Sequence, residues 1–389
     1  MGYEVSLGNI GISSLSGPAT RFLIASSTAP DIIKAMAFRV CDATNDHIEI
    51  QATFDALPTT GGTILFSEGT FNINGRVTIP SGREIHILGY RNTLLNVQIN
   101  NRRTVTDGAI TTGTQTLTSA TAGFTSADVG KSININGAAI GGLLLDSVIA
   151  TFVNTTTVTL RHTAGTTVSS TTIEYADDAF FLGTTDPSDQ HIWVENLFFT
   201  GNVNSGHCFR LGSNSVVARS TFTNCTFTNF GREAINGDNL IGAHFIRCFF
   251  EGQHRGSIIL YQSNNCLFTQ CRVRTNGQTD TTFPAIRLIE THEFIFKDGI
   301  FESNRGLMIN ARWAGGNSQM ASLLIENTWF EGNITAAPST TAMLDVAGIS
   351  GNNARMISLR DCFIDQSLVG AGYIIRAAFC DYITVRNCV

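Results

Sequence analysis

The sequence predicts an all-β fold: a right-handed parallel β-helix, a solenoid, with an N-terminal helical cap and a small β insertion. Three observations carry this. Composition is that of strands and turns: 14% of residues are charged, against about 25% in an average soluble domain, and 37 Gly and 26 Phe stand among 389 residues. A strand-like motif recurs eight times at intervals of 23 to 34 residues in the C-terminal half, the repeat length of a solenoid. Ahead of the repeats lie helix start and stop signals, followed by two glycines at which the apolar pattern changes to period two.

Taken in order, residues 1–20 are Gly- and Ser-rich and read as irregular. Phe22 to Ala25 reads as a strand, and Ala29 to Val40 as a helix opened by Pro30 and Asp31. A second helix has Asn45 or Asp46 as N-cap, Ile48, Ala52 and Phe54 to Leu57 near helical spacing, and Pro58 as its stop. After Gly61 and Gly62 come strands Thr63 to Phe66, Phe71 to Ile73 with Val77 to Ile79, and Ile85 to Leu88, parted by turn residues. From 103 to 175 Thr, Ala, Gly and Val alternate with few aromatic residues, which predicts a small β insertion or a Thr-rich widened coil. The expected organisation is therefore 1–62 for the N-terminal segment and cap, 63–102 for the first coils, 103–175 for the insertion and 176–389 for the main β-helix.

The repeats VENLFF (194–199), FTNCTF (222–227), FIRCFF (245–250), FTQCRV (268–273), FKDGIF (296–301), IENTWF (325–330), LRDCFI (359–364) and VRNCV (385–389) share one register. A second strand follows each of the first seven. Neighbouring strands lie about 4.8 Å apart, so like residues pile into ladders. Phe199, Phe227, Phe250, Phe301 and Phe330 form an inward column. Cys225, Cys248, Cys271, Cys362 and Cys388 form the next, and the nine cysteines, an odd number without a CxxC pair, read as buried free thiols. Asn196, Asn224, Asp298, Asn327, Asp361 and Asn387 form a third column, expected at turns with left-handed backbone. The last motif stops at Val389 partway through a coil, so the natural protein is expected to continue.

The run Asp42 to Gly89, DATNDHIEIQATFDALPTTGGTILFSEGTFNINGRVTIPSGREIHILG, resembles the opening module of the pectate-lyase-like β-helix superfamily. In that family an acidic residue precedes a helix of the AIQxAIDAL type and a GG-strand-PxGxY segment starts the first coil; here Ser67 to Phe71 stand at PxGxY. The resemblance implies fold rather than reaction. TSATAGFTSADVGKSI, in the insertion, is similar to modules of phage tail and tailspike proteins. The stretch Asn224 to Tyr261 is loosely similar to the centre of the polygalacturonase family, with Gly231 to Asn236 at its GDD segment and His254 with Gly256 to Ile258 at its GHGxSIG segment. The aspartate pair is replaced by Arg232-Glu233 and neither NTDG nor RIK is present, so galacturonan specificity is not implied.

On their own chemistry, Glu233 is the candidate proton donor to a glycosidic oxygen and Asp238 or Glu251 the base that activates water, with His254 tuning the pair. Residues one and two coils apart have backbones about 4.8 and 9.6 Å apart, which brackets the carboxylate separations of about 5 to 9.5 Å in retaining and inverting glycosidases. Arg232, Arg255 and Arg287 are candidates to hold a sugar acid. Tyr261, Glu290, Arg312 and Trp313, with Asp280, are candidates to line a groove where an aromatic ring stacks on a sugar face. The plain alternative for Glu233 and His254 is an exposed turn. A column of Glu251, Glu302, Glu331 and Asp365 reads first as a solvated turn edge.

A net charge of −6 and a pI near 5.7 leave no basic face for nucleic acid, and no apolar run reaches the roughly 18 to 20 residues of a membrane span. The N-terminus lacks the regions of a signal peptide, so extracellular or virion-associated placement is expected by another route. No cofactor and no metal are expected. The expected function is polysaccharide depolymerisation, by a glycoside hydrolase first. A lyase ranks second, because Asp177-Asp178 and scattered single aspartates make a poor calcium site. The rival from another class is a non-catalytic glycan-binding or structural tail or stalk protein, for which a homotrimer is the expected assembly.

Overall fold

The computed structural model describes residues 20–182, 191–212, 217–312, 322–333, 341–348, 354–365 and 371–389. Each coil gives one strand to each of three parallel sheets. Sheet A takes strands such as Thr221–Thr223 and His244–Ile246, sheet B Thr226–Thr228 and Phe249–Glu251, and sheet C Ile235–Asp238 and Ile258–Tyr261. The sheets hold 14, 9 and 9 strands. This is a parallel β-helix, and parallel crossovers of this kind wind right-handed.

In-register pairing makes the columns real. Phe222 pairs with Phe245 and Phe245 with Phe268, and their rings stack at 5.0 and 4.4 Å. Phe199, Phe227 and Phe250 stack at 5.1 Å per step. These rings alternate along each strand with outward residues, because strand side chains have period two. At the turn from sheet A to sheet B, Asn196, Asn224, Asp298, Asn327, Asp361 and Asn387 all have positive φ between 46° and 58°. Their side chains bond between coils, as in Asn224 to Asn196 at 3.0 Å and Asn327 to Asp298 at 2.8 Å. A second amide ladder, buried between sheets B and C, runs Asn276, Asn304, Asn333 with steps of 2.8 and 2.9 Å.

The helical cap is smaller than the sequence suggests. Helix α1 is only Asp31–Met36, because Arg39–Val40 leave it to pair in parallel with Ile24–Ala25. Helix α2, His47–Asp55, buries Ile50 and Phe54 in the main core. Asp46 accepts hydrogen bonds from the N–H groups of Ala43 at 2.9 Å and Asn72 at 2.7 Å, which tie the cap to the first strand of sheet B, Gly69–Ile73. Gly61, at φ +93°, lies so close to Glu84 that a Cβ would meet its carbonyl oxygen at 1.8 Å.

Between the strand Thr93–Val97 of sheet B and Phe180–Leu182 of sheet C the chain leaves the helix to form a closed antiparallel barrel of six strands, from Arg103 to Ala176. The barrel has a core of its own, including Leu117, Phe124, Ile133, Val158 and Tyr175, separate from the core of the β-helix.

All nine cysteines are free thiols, and only Cys380 and Cys388 are less than fully buried. A thiol reagent should therefore modify at most two cysteines in the native protein and the remaining seven only in denaturant. A disulfide joining Cys225 to Cys248 in native material would contradict the stacked-thiol column.

Candidate active site

The outer face of sheet C is where polar side chains converge, and register explains how. Asp178, His207 and Glu233 each stand two residues before an inward residue of successive coils, Phe180, Phe209 and Ile235. They stack as one ladder: His207 Nδ1 lies 2.8 Å from Asp178 Oδ1 and Nε2 lies 3.3 Å from Glu233 Oε2. All three are buried. The next outward column holds Arg210, Asn236, Ile259, Arg287, Asn310 and Asp345, and the one after it Asp238, Tyr261, Ile289 and Arg312.

The barrel covers the early coils of this face. Asp146, on the barrel strand Leu145–Asn154, reaches Arg210 at 2.9 Å, Asn236 at 2.6 Å and Arg232 at 3.5 Å. Glu174 reaches Arg255 at 2.6 Å, and Arg102 and Arg232 at 3.9 Å. Ser132 donates a hydrogen bond to Asp178. His162 lies 3.0 Å from Asp238, with its ring 5.5 Å from that of Tyr261. The seam is thus ionic, and it buries Arg210 and Arg232 completely.

Burial alone raises a carboxyl and lowers an imidazole pKa. At Asp178 burial is outweighed by the His207 and Arg210 charges, which hold it down to about 2. Glu233 is held well below the carboxylate range, its burial outweighed by the bond to His207 and by the Arg287 and Arg232 charges. Asp146 is lowered against its burial by Arg210 and Arg232. His207 is shifted up: burial and Arg232 oppose its charge, and Asp178 and Glu233 on its two nitrogens prevail. These shifts favour the ladder as a carboxylate, an imidazolium and a carboxylate.

Where the barrel ends, sheet C opens into a cleft of about 200 Å³. Leu143 and Leu144 of the barrel form one wall and Arg287, Ile289, Asn310 and Arg312 the floor. Arg312 is committed to Asp345 through a short ion pair and to the Asp345 carbonyl at 2.9 Å. Arg287 makes no ion pair and no side-chain hydrogen bond among the described residues; its guanidinium lies 4.8 Å from the Phe283 ring, which also carries Arg255 at 4.4 Å. Burial lowers the Arg287 pKa, and the Glu233 and Asp146 charges oppose that. Tyr261 is pushed up to about 12 by burial and by the charges of Asp238, Glu290 and Asp146.

The structure therefore brings together Arg232, Glu233, Asp238, Arg255 and Tyr261 at the seam, and Arg287 and Arg312 in the cleft, with Glu290 one residue beyond Ile289 of the cleft floor. Glu233 is no exposed turn. Glu251 lies on sheet B, a different face, paired with Arg274 at 3.2 Å. His254 sits half-buried in the loop between sheets B and C, its pKa lowered by burial and by Arg102. Trp313 lies outside the described residues. Sequence reading missed Asp146, His162, Glu174, His207 and Arg210; only the Asp178–His207–Glu233 column carried a signal, in its shared offset from the inward strand residue.

No protein-family model matches the chain, and no curated protein matches it. Its fold is a parallel β-helix carrying a closed antiparallel barrel. Among solved structures it is similar to a glycoside hydrolase at 10% identity, covering 95% of this chain and 96% of that one with a TM-score of 0.49. It is also similar to tailspike protein 2 of the Escherichia coli O157:H7 bacteriophage CAB120, at 9% identity, 88% of this chain, 40% of that one and a TM-score of 0.46. ORF18 of Geobacillus virus E2 is similar at 10% identity, 88% and 59% coverage and a TM-score of 0.45. The chain spans about two-fifths and three-fifths of these last two proteins.

The ladder sets a pH dependence. Asp178 contributes stability that is complete above its unfolded pKa near 3.9 and lost as pH falls through about 2; His207 contributes stability that is complete below its unfolded value and lost as pH rises through its higher folded value. Thermal melting should be highest between about pH 4 and 6.5. In His207→Gln the decline on the alkaline side should flatten; an unchanged alkaline decline would count against the ladder.

Proposed function

We propose that this chain is a polysaccharide depolymerase of the glycoside hydrolase type, acting outside the cell or on a virion, with the glycan in the cleft where sheet C emerges from under the barrel. The observation that carries the reading is the cleft's composition. Arg287, Asn310, Arg312 and Thr282 offer hydrogen-bond groups beside the aliphatic Leu143, Leu144, Ile289 and Leu307, and a sugar has a hydroxyl edge and an apolar face to match them.

Two carboxylates are the candidates nearest this cleft in register: Asp238, buried at the seam, and Glu290, which follows Ile289 of the cleft floor. Asp238 pairs with Tyr261 and Tyr261 with Ile289, whose successor is Glu290. Ile289 thus stands two coils from Asp238, about 9.6 Å between backbones, and Glu290 follows it at the turn, so an inverting pair separated by roughly 6.5 to 9.5 Å with a water between requires the two side chains to lean toward each other. In this reading Glu290 protonates the leaving oxygen and Asp238, steadied by His162, activates water. Glu233 carries no proton at neutral pH, so it anchors the seam rather than donating one.

Elimination is a second reading on a specific observation. The Tyr261 and His162 rings, 5.5 Å apart, are proton-transfer groups, Tyr261 on the coil before that of Arg287 and His162 on the barrel, and the Arg287 charge would stabilise the enolate of a uronic acid.

A glycan panel assayed for new reducing ends and for the ultraviolet absorbance of unsaturated sugars tests both. Reducing ends without that absorbance are expected. On the substrate so found, Glu290→Gln should lower turnover about 10²-fold or more with binding retained. Unsaturated products would replace hydrolysis by elimination, and binding without any product would make the chain a binding module.

A further inference from the structure

Sheet B carries a feature that the cleft does not use. In its central outward column, register runs Phe198, Thr226, Phe249, Arg272, Ile300, Trp329, Phe363 over successive coils. Four of these are aromatic rings held in solvent: Phe198 is 40% exposed, Phe249 42%, Trp329 44% and Phe363 38%. Six strand steps make the column about 29 Å long. Two of the rings are held by contacts. The Trp329 indole N–H donates to Glu331 Oε2 at 3.0 Å, and Trp329 and Phe363 stack at 4.0 Å.

The column is one residue wide and bordered by polar rows along its length. On one side runs the exposed amide ladder of the turns, Asn196 to Asn224 and Asp298 to Asn327, joined at Asn224 by Arg247 at 2.7 Å. On the other run Thr228, Glu251, Arg274, Glu302 and Glu331, with Glu251 and Arg274 paired across coils.

We propose that this column is a second, non-catalytic polysaccharide-binding track, on which pyranose rings lay their apolar C–H faces against the aromatic rings while the bordering rows bond their hydroxyls. Width and area choose this occupant over a protein. Four rings of roughly 200 Å² at about two-fifths exposure offer on the order of 300 Å² of apolar surface, against about 800 Å² per partner in a stable protein interface. A single extended glycan is long and narrow, as the column is. Aromatic stacking is indifferent to sugar charge, so the track takes neutral as well as acidic polymers. The proposal rests on the polysaccharide reading for its ligand class alone, because it requires binding and no chemistry.

Affinity electrophoresis in gels containing a soluble β-glucan, a galactomannan or alginate tests it without reference to cleavage. Wild type should be retarded by at least one of the three, and Phe249→Ala with Trp329→Ala should weaken that retention about tenfold or more. Phe249→Tyr with Trp329→Phe, which keep a ring at each position, should restore it. Turnover of short oligosaccharides, where the panel has found any, should stay at the wild-type level in all these variants, and melting temperature should show that they are folded. Retention unchanged in the alanine variant overturns the proposal, as does absence of retention of wild type by all three polymers. Concentration-dependent self-association in sedimentation that the alanine variant abolishes would assign the column to a second copy of the chain instead.

Discussion

The β-helix depends on parallel strands pairing in register at one fixed spacing. A parallel ladder brings the same offset of each coil into line about 4.8 Å above the last, so any residue type chosen once must be compatible with itself as a neighbour. Phenylalanine meets that condition by ring stacking, as in Phe199, Phe227 and Phe250, and asparagine by amide-to-amide bonding, as in Asn276, Asn304 and Asn333. Ionised groups meet it less readily, although Glu302 and Glu331 are register neighbours on sheet B. Along sheet C a carboxylate in one coil is followed by a cation or an amide in the next: Asp178, His207, Glu233 in one column, and Asn310, Asp345, Arg376 in another. The same spacing that builds the apolar core therefore arranges alternating charge on its surface.

The barrel works on that surface by a different rule. It has an apolar core of its own, and its polar contacts with the β-helix run through Asp146, Glu174, Ser132 and His162. Desolvated charges of this kind add little net stability compared with apolar packing, but removing one partner leaves a buried charge uncompensated at a cost of about 3 to 5 kcal/mol. The docking geometry is thus strongly specified. It fixes the place where sheet C re-emerges, at Leu143 and Leu144, and so fixes the cleft.

The fold was legible because its signals are periodic. Phe and Cys columns, the turn asparagines and the change of period at Gly61-Gly62 repeat a local preference many times, and each repeat supports the others. The first helix was overestimated at its C-terminal end, where Arg39 and Val40 obey a strand partner that local propensity cannot see. The site was much less legible. Glu233 is buried beside Arg232, whose partners Asp146 and Glu174 on the barrel lie tens of residues away in the chain, on strands LDSVIATFVN and VSSTTIEYA that carry no motif pointing to it. Glu251 follows an inward Phe as expected, yet that offset puts it on sheet B, before the coil turns onto sheet C and the cleft.

Arg232 shows what the seam asks of its residues. It is fully buried, and none of its guanidinium nitrogens makes a hydrogen bond of ordinary geometry; its ion pairs to Asp146 and Glu174 span 3.5 and 3.9 Å. Attraction at those distances is Coulombic and tolerant of direction, unlike the bidentate fork that arginine forms with a carboxylate when stability is the aim. Arg210, by contrast, meets Asp146 at 2.9 Å. One tight pair and a surrounding cluster of looser ones hold the barrel over the early coils, and they do so with the same side-chain types, arginine, asparagine and aspartate, that occupy the same columns in the open part of sheet C at Arg287, Asn310 and Asp345. The outer face of sheet C is therefore chemically continuous, and the barrel decides how much of it a ligand can reach.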